Sequence, residues 1–456
     1  MEQDNKNTPL SIITFASLVL PLIAFSPYNF FVFEVPKITI ISIISSLFIL
    51  ITILSIFKKD SIRKTTVDIS KIILVILITI IFQYFILGKN INIKFIGLTF
   101  PVLFLFFCYV NLPREAENNA FKYISLIVSA IALYGILQRI GIDFPIWSGN
   151  VGKKTVFSTI GNPNTAAEIA FFTVPVMIFI AGNQKTKKSL LFQSAAIILS
   201  LVFGFFCLSK GAALSFFLSC LVFLFLYKKH INKLKPFLNL LIFCGILIIF
   251  ISTFIIIQKN NNGSIKSIIS PNSPGIKNRI SIYLQTLEVI KENPILGVSG
   301  GGFHYEYTKL FLKNDRILKD FLDPQAILVR RAHNEFLHVA SEFGIVGLAG
   351  LIMFWGILFF ILNSLIKKDK NFIYIFWSFS FLFFESFFNF PLQNPALLVL
   401  IVFLLSIVIK NTNQKQESNS IYLKILYSSI LLISLVIAFF NIRIFISDIY
   451  HQKSKN

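Results

Sequence analysis

The sequence predicts an all-α polytopic membrane protein, with about twelve to thirteen transmembrane helices and one large extracytoplasmic loop containing short helices. Three observations carry this prediction. Hydrophobic residues make up 55% of the 456 positions and charged residues only 14%, against roughly 25% charged in an average soluble domain. The mean hydropathy is +0.77. The apolar residues, 53 Phe among them, also fall in long runs separated by short basic clusters. The same composition excludes a disordered chain, which would be poor in such residues.

The runs cover residues 10–32, 38–57, 71–87, 94–111, 121–138, 165–182, 189–208, 211–227, 237–257, 343–365, 371–389, 395–410 and 422–442. Each is long enough, or nearly so, to cross ~30 Å of hydrocarbon as a helix, which satisfies its own backbone hydrogen bonds there. The weakest break is Leu208-Ser209-Lys210-Gly211, a tight turn or a polar interruption within the membrane. The organisation expected is a bundle of about nine spans over 1–257 and a large loop over 258–334. A bundle of about four spans over 335–445 and a short polar tail over 446–456 follow.

A net charge of +21 and a pI near 9.7 would suit a nucleic-acid binder, but the placement of the charge argues against nucleic acid as a partner. The basic residues cluster between spans, as at Lys58-Lys59, Arg63-Lys64, Lys187-Lys188, Lys228-Lys229 and Lys367-Lys368. That is the pattern of short cytoplasmic loops. With the N-terminus inside, segments 1–9, 57–71, 111–122, 183–188, 228–235, 366–370 and 410–424 hold 21 of the 42 Lys and Arg. The long loop is thereby placed outside and, with thirteen spans, the C-terminus as well. The first span lacks a basic leader and a small-residue cleavage site, so it is expected to be retained. Cys108, Cys207, Cys220 and Cys244 all sit in apolar runs without ligand spacing and read as buried small hydrophobes.

The polar segment of about 258–332 is the anomaly, because long loops in compact proteins are usually functional or disordered. It opens as a spacer, Lys259-Asn260-Asn261-Asn262-Gly263-Ser264. Ile280, Tyr283, Leu284, Leu287 and Ile290 then recur at helical spacing until Asn293-Pro294 stops the helix. Gly297-Val298-Ser299-Gly300-Gly301-Gly302 reads as a tight turn, since it lacks the ending of a phosphate-binding P-loop, with backbone contact to a phosphate as the alternative. A second helix near 304–319 precedes Arg330-Arg331-Ala332-His333-Asn334. This loop carries eleven Lys and Arg against six Asp and Glu, a surplus that on the outer face suits an anionic ligand such as a phosphate or pyrophosphate.

Ionisable groups concentrate between Arg330 and Glu342, at a membrane boundary. His333 can act as a base near neutral pH, and Arg279, Arg330 and Arg331 can grip phosphate oxygens through the guanidinium fork. The alternative is that these residues only anchor a helix end among headgroups. His333 and His338 are five apart and lack a two-histidine metal spacing, so no metal site is expected. Upstream, Gly161-Asn162-Pro163-Asn164 opens a span as a helix cap. Lys210 is either a snorkelling lysine or a phosphate-facing cation.

The stretch from Asn278-Arg279 to Phe303, followed by Ala332-His333-Asn334-Glu335-Phe336-Leu337 and Glu342-Phe343-Gly344-Ile345-Val346-Gly347, resembles the O-antigen ligase and O-antigen polymerase family of bacterial envelope proteins. Gly161-Asn162-Pro163-Asn164 and Leu208-Ser209-Lys210-Gly211-Ala212 match in placement. The resemblance covers about 155–350.

It implies a GT-C-like glycosyltransferase in the bacterial cytoplasmic membrane, working without a metal or other cofactor. Such an enzyme moves a glycan from a polyprenyl-diphosphate carrier to a hydroxyl of a lipid or glycan acceptor on the outer face. By position, Arg279 would bind the diphosphate and His333 would act as base on, or orient, the acceptor hydroxyl. Lys210, Arg330, Arg331 and Asn334 join them as expected diphosphate-binding residues. Lys210 departs from the Arg often found in its segment; it keeps the charge but loses bidentate geometry. Ligation and polymerisation of lipid-linked units both remain open, as does transport of a lipid or anion along a path lined by Arg279 and His333. The partners expected are the glycan donor, its acceptor and membrane lipids.

Overall fold

A computed structural model describes residues 8–29, 31–57, 61–63, 93–144, 156–230, 274–313, 329–412, 416–418 and 421–454. The expected spans 71–87 and 237–257, Cys244 within the latter, the spacer at 259–264 and positions 314–319 of the second loop helix lie outside these residues. The chain divides into two compact units, residues 1–209 with 359–379 and 391–456, and residues 210–358 with 380–390.

The helices of the first unit are α1 (Thr8–Ile23), α2 (Glu34–Phe57), α3 (Ile93–Val110), α4 (Arg114–Arg139), α5 (Pro163–Gly182) and α6 (Lys187–Phe206). The chain continues through α7 (Lys210–His230), α8 (Pro274–Glu292), α9 (Phe303–Lys313), α10 (Glu335–Lys368) and α11 (Phe372–Glu385). It ends with α12 (Pro395–Lys410) and α13 (Ile421–Lys453). Among the described residues six helices are long and apolar enough to cross a membrane, and five shorter apolar helices accompany them. These eleven correspond to eleven of the predicted runs. The protein is a polytopic, all-helical membrane protein, apart from one antiparallel pairing of β1 (Ser61–Arg63) with β2 (Gln416–Ser418).

The apolar run at 10–32 does not form one helix. Pro27 has no N–H to give and disfavours helix in the residue before it, and α1 ends at Ile23. Its last carbonyls are taken by a cation from the next helix. Lys37 is only 2% exposed, and its Nζ donates to Pro21 O (3.1 Å), Leu22 O (3.3 Å), Ala24 O (2.9 Å) and Thr159 O (3.1 Å). An ammonium suits the negative end of a helix dipole. Farther along, Asn441 of α13 donates to Gly97 O of α3 at 2.9 Å and to the Ser42 hydroxyl of α2. It joins three apolar helices through a polar contact, as is common between membrane helices.

α13 continues through Lys453, where a polar tail is predicted from 446. The polar groups that suggest an end find partners instead: Asp448 Oδ2 accepts from Phe31 N at 3.0 Å, and Phe445 O accepts from Asn29 Nδ2 at 3.1 Å. Segments predicted to share the cytoplasmic side also meet. β1 lies in 57–71 and β2 in 410–424, and Lys410 Nζ donates to Leu112 O at 2.7 Å and to Glu117.

The second unit has its own core, in which Ile282 and Val289 of α8 pack with Val298, Phe303, Tyr307, Leu310 and Phe311. Between α8 and α9 runs the glycine-rich turn, with Gly297 (φ 65), Ser299 (φ 87) and Gly301 (φ 76) in the left-handed region. Its backbone is pinned to α10, Val298 N donating to Ser341 O at 3.0 Å and Ser299 N to Glu342 O at 2.9 Å. α10 breaks at Gly344 (φ 64, ψ −161). Past the break Ile345 N, without a carbonyl one turn back, donates to Pro294 O at 2.8 Å. A Cβ at Gly344 would lie 2.1 Å from Ile295 O, so both the dihedral and the close approach require glycine.

Candidate functional site

The second unit brings three of the predicted site residues together. Arg279 and Tyr283 sit one turn apart on α8, at i and i+4 on one face, and hydrogen-bond to each other. The Tyr283 hydroxyl donates to the backbone carbonyl of His333 at 3.0 Å. His333 itself holds φ 51, a left-handed conformation rare for a residue with a Cβ. Phe390 serves both neighbours on the other segment: the Arg331 guanidinium carbon lies 4.7 Å from its ring centroid, and the His333 ring meets it edge-on at 5.2 Å.

The loop that carries His333 is tied down immediately after it. Asn334 Oδ1 accepts from Leu337 N at 3.1 Å, capping α10, while its Nδ2 donates to Phe387 O at 3.2 Å. Glu335 N donates to Ser386 O at 2.8 Å. The amide of Asn334 is thus engaged at both ends, which fits a supporting role better than the substrate contact expected for it.

Burial lowers the His333 pKa to about 4, with the charges of Arg279 and then Arg331 acting in the same direction and Asn389 acting against them. The imidazole is therefore neutral at physiological pH, with an uncharged ring nitrogen as the acceptor. Its Nδ1 is buried and has no hydrogen-bond partner among the described residues. The charges that act on the ring belong to two arginines, which would welcome an anion. Tyr283 is pushed up by burial, offset in part by Arg279, so it remains a donor.

Deeper in the unit, His338 Nε2 lies 3.5 Å from Glu342 Oε1, both side chains nearly closed to solvent. The Glu342 carboxylate receives the backbone N–H groups of Gly301 and Phe303, while its own carbonyl takes Ser299 N. One residue thus holds the glycine-rich segment from two sides, and that segment forms a tight turn, as its sequence predicts.

The remaining predicted residues are more peripheral. Lys210 is exposed on the first turn of α7, next to Gly211, whose Cβ would stand 2.8 Å from Phe388 Cβ. Arg330 is exposed. The cap predicted at Asn162 is present: its Oδ1 accepts from Asn164 N (2.9 Å) and Thr165 N (3.3 Å), with Pro163 at the first helical position. Sequence reasoning missed Tyr283, Asn389 and Phe390 as site residues. The i,i+4 spacing of Tyr283 from Arg279 was an available signal, and so was the Asn389-Phe390-Pro391 break in the Phe-rich run.

Comparison with known proteins agrees with this picture. Residues 195–352 match a family model described as O-Antigen ligase. An uncharacterized protein of Haemophilus influenzae is 27% identical over 265 residues, covering 56% of this chain and 62% of the relative. The chain thus spans about three fifths of the length of the curated relative it matches. The stretch 195–352, with Lys210, Arg279 and His333 inside it, is similar to the O-antigen ligase family, the one its motifs resemble.

Proposed function

We propose that this protein is a membrane glycosyltransferase that moves a glycan from a polyprenyl-diphosphate carrier to an acceptor hydroxyl at the outer face of the bacterial cytoplasmic membrane. The observation that carries the reading is the gathering of His333, Arg279 and Arg331 around Tyr283 and Phe390, just ahead of a helix long and apolar enough to cross a membrane.

In the proposed reaction the acceptor oxygen forms a bond to the anomeric carbon as the bond from that carbon to the carrier phosphate breaks. The acceptor proton passes to His333, and the electron pair leaves with the diphosphate. Arg279 and Arg331 stabilise the charge that develops on that leaving group. A diphosphate beside them also offsets the positive field that depresses the His333 pKa, so donor binding makes the imidazole a better base. Lys210 and Arg330, both exposed, are assigned to capture of the carrier's diphosphate headgroup.

Purified protein in lipid nanodiscs, given a polyprenyl-diphosphate-linked glycan and candidate acceptors, tests the proposal by product size. One added block indicates ligation and a ladder indicates polymerisation. Movement of intact carrier across the membrane with no new glycosidic bond would overturn it in favour of transport.

A further inference from the structure

α8 has two apolar faces. Ile282 and Val289 turn into the core of the second unit. On the opposite face Ile280, Leu284 and Leu287 recur at i, i+4 and i+7, one stripe of a helix, and are 41%, 44% and 42% exposed. The helix is not a span, because it carries Lys277, Arg279, Glu288, Lys291 and Glu292. A water-facing helix of that composition would be expected to place its polar residues, not three large aliphatics, on the open side.

The stripe is followed by exposed apolar residues bonded to a helix long and apolar enough to cross a membrane. Just past α8, Ile295 and Leu296 are 64% and 43% exposed. The backbone there is bonded to the head of a membrane-spanning segment, Ile345 N donating to Pro294 O at 2.8 Å and Val346 N to Ile295 O at 3.4 Å. Ile345 and Val346 are both 58% exposed, and Ile352, Met353 and Ile357 extend the open apolar face along the span. Lys277 and Lys291 flank the stripe near the two ends of α8, both exposed; Lys291 pairs with Glu288 at 2.6 Å, and the Lys277 ammonium can reach lipid phosphates while its stem lies on apolar surface.

We propose that α8 is an interfacial helix, which seats Ile280, Leu284 and Leu287 in the boundary of the bilayer while its inner face packs on the protein. Arg279, on the flank between those faces, is thereby held at headgroup depth. The claim concerns the lipid surface alone and stands or falls independently of glycan transfer.

The test uses the full chain in phosphatidylcholine nanodiscs with an environment-sensitive fluorophore on Leu284→Cys or on Lys309→Cys. Lys309 is an exposed position on α9. The parent chain, carried through the same labelling, gives the background. Lipids brominated near the headgroup are expected to remove most of the Leu284→Cys fluorescence and leave that of Lys309→Cys, with aqueous iodide doing the reverse. Equal iodide quenching at both positions, with none from the lipids, would put the stripe in water and overturn the proposal. Shielding of Leu284→Cys from both quenchers would also overturn it, by showing that protein covers the face.

Discussion

The Tyr283 hydroxyl donates to the backbone carbonyl of His333 at 3.0 Å, across fifty positions of sequence. This bond joins the helix that presents Arg279 to a histidine held at φ 51. Tyr283→Phe keeps the ring and deletes only that donor. It is expected to lower kcat for transfer about tenfold, the equivalent of ~1.4 kcal/mol, with little change in the KM for donor. A larger KM effect would indicate that Tyr283 acts on Arg279 instead.

His333 sets the acid limit of the reaction. Its pKa in the donor-free protein is lowered to about 4, so the neutral base persists well below 6.5 there, and kcat/KM for transfer is predicted not to fall through pH 6–7 as it would for an unperturbed histidine. Stability follows the same sign. The neutral form is favoured on folding, so the contribution is whole above the unfolded pKa of about 6.5. It declines as pH drops from there toward about 4, because the unfolded chain takes up a proton that the folded one refuses. A pH series of thermal unfolding in detergent checks this, and His333→Gln should flatten the decline.

Gly344 is predicted to be the least replaceable glycine among the described residues. Ala there would hold φ 64 and set its Cβ 2.1 Å from Ile295 O. The expected loss is at least ~2 kcal/mol, from backbone strain plus a displaced hydrogen-bonded turn. Gly350 is helical with nothing within 4 Å of an added Cβ, so Gly350→Ala should leave Tm unchanged or slightly raised.

Lys37→Met removes the one cation shared by four carbonyl oxygens. Leu22 O keeps the Thr159 hydroxyl as a donor, but the other three lose the ammonium inside an apolar bundle, and the variant should lose several kcal/mol of stability, on the order of 3 or more. A Tm equal to that of the parent protein would show that the end of α1 rearranges freely.

The sequence made the apolar helices legible because ~20 consecutive apolar residues admit few other structures. Arg279 and His333 were legible because local motifs surround them. What was not legible depends on partners far apart in the chain. Lys37 reads as an ordinary boundary lysine until the carbonyls of α1 and Thr159 converge on it. Asn441 and Asp448 read as the end of a span, yet each is satisfied by other elements and α13 continues. Phe390 reads as one more apolar residue, although it carries both Arg331 and His333.

The central claim is that Arg279 and His333 carry out glycan transfer together. It is tested most directly by single-turnover transfer from a polyprenyl-diphosphate-linked glycan in nanodiscs, comparing the parent chain with Arg279→Ala and His333→Ala, each confirmed to be membrane-inserted. Both variants are predicted to lose at least about a hundredfold in rate, with His333→Ala still binding the donor and Arg279→Ala binding it more weakly. Near-normal transfer by both would contradict the account.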